Sequence, residues 1–255
     1  MRVVIITQDE PFYLGRSLDY LLGALPAHSS VVGCVVNDVS PFGKRETFAQ
    51  KSWKTLRIFG PGFFAHYSAK FVAAKLRARD RVDAVLARHS VPRIALEEPL
   101  NAPGSVERIR ALGPDVLVSI LGNEIFRRPI IDLAPRGCLN LHSALLPKYR
   151  GLMPAFWVMR FDEPETGVSV FFVDEGIDSG PILVQKRVAI EPGETHASLV
   201  RRTKRLGMDA VLEAIDRLEA GDDATLPNED AEASYHSFPD AADVAAFRRA
   251  GKRFF

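Results

Sequence analysis

The sequence predicts an α/β protein whose mostly parallel, twisted sheet is flanked by helices, and three observations carry that prediction. Short continuous apolar runs at 2–7, 31–36, 115–121 and 168–173 read as strands covered on both faces. Between the first two, Leu14, Leu18, Leu21, Leu22 and Leu25 fall at helical spacing. A strand–helix–strand opening favours a right-handed crossover and parallel strands. The composition, 47% hydrophobic and 25% charged over 255 residues, is that of an ordinary globular chain with one large domain.

In order, residues 2–7 form a strand, 13–25 a helix and 31–36 a second strand, a Rossmann-like beginning. The first turn lacks Gly-x-Gly-x-x-Gly and carries Asp9 and Glu10 instead, which argues against a dinucleotide or phosphate there. Residues 37–62, with Pro41, Gly43, Pro61 and Gly62, read as an irregular insertion with a short strand near 56–59. Residues 63–89 read as one long helix or two. Residues 92–96 form a short strand, and Ser105 is a candidate N-cap for a helix over 106–112. After the strand 168–173, Ile182–Val188 starts another. Thr195 is placed to cap a long helix over 196–220. The expected organisation is a catalytic core over 1–190, with the insertion at about 38–90, and a C-terminal helix and tail over 191–255.

Several function classes are disfavoured. A net charge of +1 provides no field for nucleic acid or an anionic membrane. No apolar stretch is long enough to span a bilayer. Residues 1–7 are too short and strand-like for a signal peptide. Cys34 and Cys138 lie inside apolar runs and read as buried thiols in a reducing compartment. Cytoplasm is the expected location.

The chemistry concentrates between residues 137 and 181. Cys138–His142 is a short strand, so Asn140 and His142, two apart, share a face. Tyr149-Arg150-Gly151 reads as a turn, and Pro154 opens a helix through Trp157. Asp178 lies in the glycine-rich loop after the strand 168–173. If the sheet is parallel, its carboxyl edge gathers Asn140, His142 and Asp178 into an acid/base constellation.

Asn140-x-His142, Ser143-x-Leu-Leu-Pro-x-Tyr-Arg-Gly151, Pro154 with Trp157, and Asp178-x-Gly-Pro181 together resemble the folate-dependent formyltransferase family. The two blocks match in order and spacing. The resemblance implies a formyltransferase fold. It also implies transfer of a formyl group from 10-formyltetrahydrofolate, a cosubstrate, to a primary amine, with no metal. Asn140, His142 and Asp178 would be catalytic. Asn140 would donate an N–H to the oxyanion, and a charged His142 a second hydrogen bond. Asp178 would hold His142 charged or relay the proton. Leu121, Gly122, Asn123, Ile125 and Asp174 would bind the folate; an ordinary strand–helix turn is the other reading of 121–125. Phe171 stands where some members have histidine and others an apolar residue.

In purine-pathway members the first turn is glycine-rich and holds the substrate phosphate, a feature missing here. Members that formylate initiator tRNA carry an additional C-terminal barrel, for which 221–255 is too short. A small-molecule amine, such as a nucleotide-linked amino sugar, is the expected acceptor. A formyltetrahydrofolate hydrolase and a non-catalytic folate binder are the alternatives. A homodimer is compatible with the sequence. The insertion either shapes the acceptor site or covers a sheet edge. Arg150 either anchors a carboxylate or orders its loop. The basic run Arg248–Arg253 is expected to be a solvated face. His28, His66, His89, His196 and His236 read as surface or local structural residues.

Overall fold

Strand β1 (Arg2–Gln8) is buried along its middle because both of its faces are covered. Val3 and Ile5 point into one hydrophobic layer with Leu14, Leu18, Val211 and Ile215. Val4 and Ile6 point into the other with Ile109, Leu117 and Ile130. This alternation is the period-two geometry of a strand, and it explains why the run has no polar face. The computed structural model describes residues 1–37, 47–122 and 124–255.

Beside β1 lie β2 (Ser30–Asn37), β3 (Arg93–Ile94), β4 (Val116–Ile120), β5 (Cys138–His142), β7 (Glu165–Phe172) and β8 (Ile182–Ala189). They form one seven-stranded sheet in the order β3-β2-β1-β4-β5-β7-β8. The pairings from β3 to β5 are parallel, whereas β5 with β7 and β7 with β8 are antiparallel. The expected mostly parallel α/β sheet is thus present. Helix α1 (Leu14–Gly23), α3 (Val82–Arg88) and α7 (His196–Glu219) contribute to the layer on one face. Helix α4 (Pro103–Arg110) and α5 (Arg128–Ile131) contribute to the layer on the other.

Helix α2 (Phe48–Leu76) replaces the short strand expected near 56–59. Thr47 caps it through a capping box with Gln50, and the helix kinks at Gly60, where φ is 78° and ψ is 172°. Gly60, Pro61 and Gly62 are loop signals in sequence. Here glycine supplies the left-handed kink and Pro61 begins the next helical segment, where a missing N–H costs little. The expected helical content of 63–89 appears as the rest of α2, a turn and α3.

Ser105 does not cap α4. That helix starts at Pro103, and the Ser105 hydroxyl donates to the Glu98 carbonyl at 3.0 Å. Thr195 does cap α7, accepting from the Ser198 N–H.

A separate aromatic cluster ties the C-terminus down. Helix α6 (Pro154–Arg160) and α8 (Ala241–Arg249) bring Phe156 and Phe247 together, with centroids 5.0 Å apart. Phe254 stacks on Phe247 at 4.6 Å and meets Phe59 and Phe63 of α2 edge-on. Phe156 and Phe247 are each 0% exposed. Phe247→Ala should lower unfolding free energy by about 3–5 kcal/mol, from lost transfer energy plus the cavity left behind. Urea titration of both proteins reads this directly.

The basic run is only partly a solvated face. Arg248 donates to the Phe59 carbonyl at 2.6 Å, Lys252 pairs with Asp162, and Arg253 donates to the Gly193 carbonyl at 3.2 Å. Arg249 is exposed. Among the described residues, no helix is long and apolar enough to cross a membrane.

Candidate active site

Asn140 and His142 stand on the face of β5 opposite Leu139 and Leu141, which pack with the α7 layer. Beyond His142 the chain turns through a cis Leu146–Pro147 peptide to β6 (Arg150–Gly151). Residues 149–151 are therefore not just a turn. They include a short parallel pairing with β9 (Tyr235–His236) from the tail. The His142 Nε2 lies 2.8 Å from the Tyr149 carbonyl oxygen, which can only accept. Nε2–H therefore donates there, leaving Nδ1 to face Asp178 Oδ2 at 3.6 Å. That distance is too long for a direct hydrogen bond but suits an ion pair once the ring is charged. His142 is buried, with 7% of its side chain exposed, and Asp178 has 14% exposed.

Asp178 reaches His142 by a different route from the expected one. Strand β7 is antiparallel to β5, with His142 opposite Ser169 and Leu139 opposite Phe172. The carboxyl end of β7 therefore lies near Cys138, away from His142. The loop after β7 doubles back. Val173 N–H donates to the Cys138 carbonyl, and Asp178 Oδ2 accepts from Gly151 N–H at 2.8 Å.

Two glycines permit this path. A Cβ on Gly180 would lie 1.8 Å from the Phe172 carbonyl oxygen, so only glycine lets the loop press on β7. Gly151, at φ +95°, would place a Cβ 2.4 Å from the His236 carbonyl oxygen. Asn228 fixes the far side of the loop by donating to the Asp178 and Gly180 carbonyls at 2.9 and 2.8 Å.

Arg150 has the loop-ordering role. It is buried and donates to Asp230 at 2.7 Å and to the Asn228 side-chain oxygen at 2.9 Å. Cys138 is inert: burial pushes its thiol well above the usual range. Cys34, also buried, is pushed up to about 12.

All three trio residues line one cavity of about 460 Å³, a size suited to a small-molecule site. It opens where β1, β4 and β5 end, at Gln8, Ser119 and Asn140. The Asn140 amide has no hydrogen-bond partner among the described residues. Leu121, Gly122, Ile125 and Asp174 also line the cavity, as does Phe171 beside Asn140. Asn123 lies outside the described residues. Leu121, Ile125, Phe126, Val173 and Ile177 give the cavity an apolar flank, the kind of lining that small-molecule sites use. Asp174 has one oxygen committed to its own loop, accepting from Ser179 Oγ at 2.7 Å and Gly176 N–H at 3.0 Å.

Sequence reasoning missed the part of the lining that α7 supplies. His196, Val200, Thr203 and Lys204 of α7 line the cavity. His196 is not on the surface: it is 9% exposed, and its Nδ1 is buried without a partner among the described residues. Positions 196, 200, 203 and 204 share one helix face, so polar residues on the core-facing stripe of α7 were the available signal.

Burial, with the charge of Lys70, pushes His196 down to about 4. An unfolded histidine binds its proton near pH 6.5. Between those values the unfolded state holds more protons. This part of the stability is therefore complete above pH 6.5 and is lost as pH falls towards 4. His196→Gln should make the fall in unfolding free energy from pH 7.5 to pH 5 smaller by about 2 kcal/mol. Urea titrations at the two pH values measure it.

The family model described as formyl transferase matches residues 69–215, more than half of the chain. The chain belongs to the formyl transferase family. A methionyl-tRNA formyltransferase of Trichlorobacter lovleyi is 36% identical over 148 residues, covering 58% of this chain and 46% of the relative. The chain thus spans about half the length of the curated relatives it matches. The fold is shared with glycinamide ribonucleotide transformylase 1 from Symbiobacterium toebii at TM-score 0.58 and 21% identity, covering 87% of this chain and 88% of that one. It is also shared with an N-formyltransferase from Helicobacter canadensis, solved in complex with folinic acid and dTDP-3-aminofucose, at TM-score 0.58 and 15% identity. That alignment covers 97% of this chain and 79% of the other. The formyl transferase match includes all three trio residues, the apolar flank from 121 to 126 and the lining face of α7.

Proposed function

We propose that this protein transfers a formyl group from 10-formyltetrahydrofolate to a primary amine of a small-molecule acceptor, with Asn140, His142 and Asp178 carrying the chemistry. The supporting observation is the convergence on one cavity of an amide without a partner among the described residues, an oriented imidazole and a carboxylate. Family membership supports the same reading. The folate ring lies against Leu121, Gly122, Ile125 and Phe126, with the loop at Asp174 over it and Asn123 in the same segment. The acceptor approaches from the α7 side. A nucleotide-linked amino sugar is the acceptor class we favour, in line with the ligand of the Helicobacter canadensis enzyme.

The amine nitrogen attacks the formyl carbon, forming a C–N bond and a tetrahedral oxyanion. Asn140 donates an amide N–H to that oxygen. His142, already tied through Nε2 to the Tyr149 carbonyl, presents Nδ1 to the reacting atoms and to Asp178. The C–N10 bond then breaks, and the proton lost by the attacking nitrogen ends on the departing folate nitrogen. Asp178, held by the Gly151 N–H, balances the imidazolium formed during that transfer. Electrons and protons balance without a redox partner.

The test is incubation with 10-formyltetrahydrofolate and a panel of primary amines, following tetrahydrofolate absorbance. The reading requires amine-dependent tetrahydrofolate release. Equal release with formate and no amine would make the protein a hydrolase. Folate binding without release across the panel would make it a binder.

A further inference from the structure

Three consecutive residues, Tyr149, Arg150 and Gly151, each hold a different piece of the site. The Tyr149 carbonyl accepts from His142 Nε2–H at 2.8 Å, and the Gly151 N–H donates to Asp178 Oδ2 at 2.8 Å. Between them, buried Arg150 donates to the Asn228 side-chain oxygen at 2.9 Å and to Asp230 at 2.7 Å. Asn228 closes the circuit. Its side-chain nitrogen donates to the carbonyls of Asp178 at 2.9 Å and Gly180 at 2.8 Å. The amide has one possible orientation, because a guanidinium only donates and a carbonyl only accepts. Its oxygen and its nitrogen are thus both in use.

The loop that carries Asp178 needs such a hold. Residues 174–180 belong to no helix or strand, and Glu175, Gly176 and Ile177 are exposed. Asp178 has φ +51°, in the left-handed region that a non-glycine residue enters at a cost. The Asp174 carboxylate accepts from Gly176 and Ser179, which braces the loop internally without tying it to the sheet. Among the described residues, hydrogen bonds from outside the loop come from Gly151, from Asn228 and from exposed Arg128 to Glu175. Gly151 fixes the carboxylate; Asn228 fixes the backbone beneath it. Asn228 is itself pre-set. Two residues before it, Leu226 exchanges backbone hydrogen bonds with Ile182 of β8 at 3.0 and 2.7 Å. Two residues after it, Asp230 meets Arg150. The tail has other anchors of its own, since β9 pairs with β6 and Phe247 and Phe254 lie in the aromatic cluster.

We infer that Asn228 is a positioning residue, which sets the backbone of Asp178 so that its carboxylate faces His142 Nδ1. The inference rests on the catalytic reading of Asp178. Asn228 is not among the residues lining the cavity, so it touches no reacting atom, and its effect on rate passes through Asp178.

The experiment has a structural and a kinetic arm, both on the full chain. In a crystal structure of Asn228→Ala, Asp178 Oδ2 should leave the Gly151 N–H, and its 3.6 Å separation from His142 Nδ1 should grow by about 1 Å or more, with the sheet unchanged. An unmoved carboxylate would overturn the inference. This arm needs no acceptor, so it separates failure of the inference from failure of the formyl-transfer reading. The kinetic arm uses 10-formyltetrahydrofolate with the panel amine that gives the fastest tetrahydrofolate release. Asn228→Ala should lower kcat about tenfold to a hundredfold, the scale on which a displacement of about 1 Å acts. Asn228→Asp is nearly isosteric and keeps a partner for Arg150, but it presents oxygen to the two carbonyls and should lose at least as much. Asp178→Ala should lower kcat by itself, and adding Asn228→Ala to it should cost less than about twofold more. A merely structural role gives the opposite pattern. Asn228→Asp would then recover wild-type kcat, and Asn228→Ala would cost the same factor with or without Asp178; either result would overturn the inference. Wild-type kcat in Asp178→Ala would remove Asp178 from the chemistry and leave Asn228 nothing to position.

Discussion

Replacing His142 by alanine should lower kcat by about three to four orders of magnitude while leaving folate affinity nearly unchanged. In the proposed mechanism the imidazole handles the proton that moves from the attacking amine to the folate nitrogen, a role worth roughly 10²–10⁴ in rate. The same proposal gives it a hydrogen bond to the oxyanion, an additional contribution that overlaps with the first. The ring is not one of the apolar side chains, Leu121, Ile125 and Phe126, assigned to the folate, so donor binding should be spared. The substitution leaves the Tyr149 carbonyl without its partner, at a cost of about 1–3 kcal/mol. Folding is therefore checked by thermal denaturation beside stopped-flow turnover. A folded variant that binds folate and retains wild-type kcat would remove His142 from the mechanism.

Asn140→Ala should reduce kcat by about 10²–10³, with little change in KM. Its amide has no partner among the described residues, so alanine breaks no hydrogen bond seen there and stability should hold. In the proposed mechanism the interaction lost is one realised only when the carbonyl oxygen becomes negative, and such losses appear in kcat. Asn140→Asp should be worse still, because a carboxylate there repels the oxyanion. Steady-state kinetics on the two variants distinguish these effects. Equal activity in Asn140→Asp and wild type would show that the oxyanion forms elsewhere.

The sequence made the buried strands legible because strands covered on two faces are written as unbroken apolar runs. Helix α7 was legible from its cap and stripe, with Thr195 and the apolar spacing giving nearly the observed bounds. Strand direction was not legible, since a buried run reads the same both ways. The parallel assumption consequently brought Asp178 to His142 by the wrong path, although the contact itself exists. The first half of α2 was hidden by Gly60, Pro61 and Gly62, residues that punctuate loops but here mark a kink. His196 reads in sequence as a surface or local structural residue and Lys204 belongs to no motif; only the packed helix places them in a cavity. The catalytic candidates were legible because their motif couples residue type to spacing. The polar residues that α7 adds to the lining follow no such motif.

The measurement that bears most directly on the central claim is a crystal structure with a stable 10-formyl folate analogue bound. The account predicts the ring system against Leu121, Gly122, Ile125 and Phe126. It predicts the formyl oxygen within about 3 Å of the Asn140 amide nitrogen, with His142 Nδ1 facing the formyl group. A formyl group directed away from both side chains, with the ring system seated elsewhere, would contradict it.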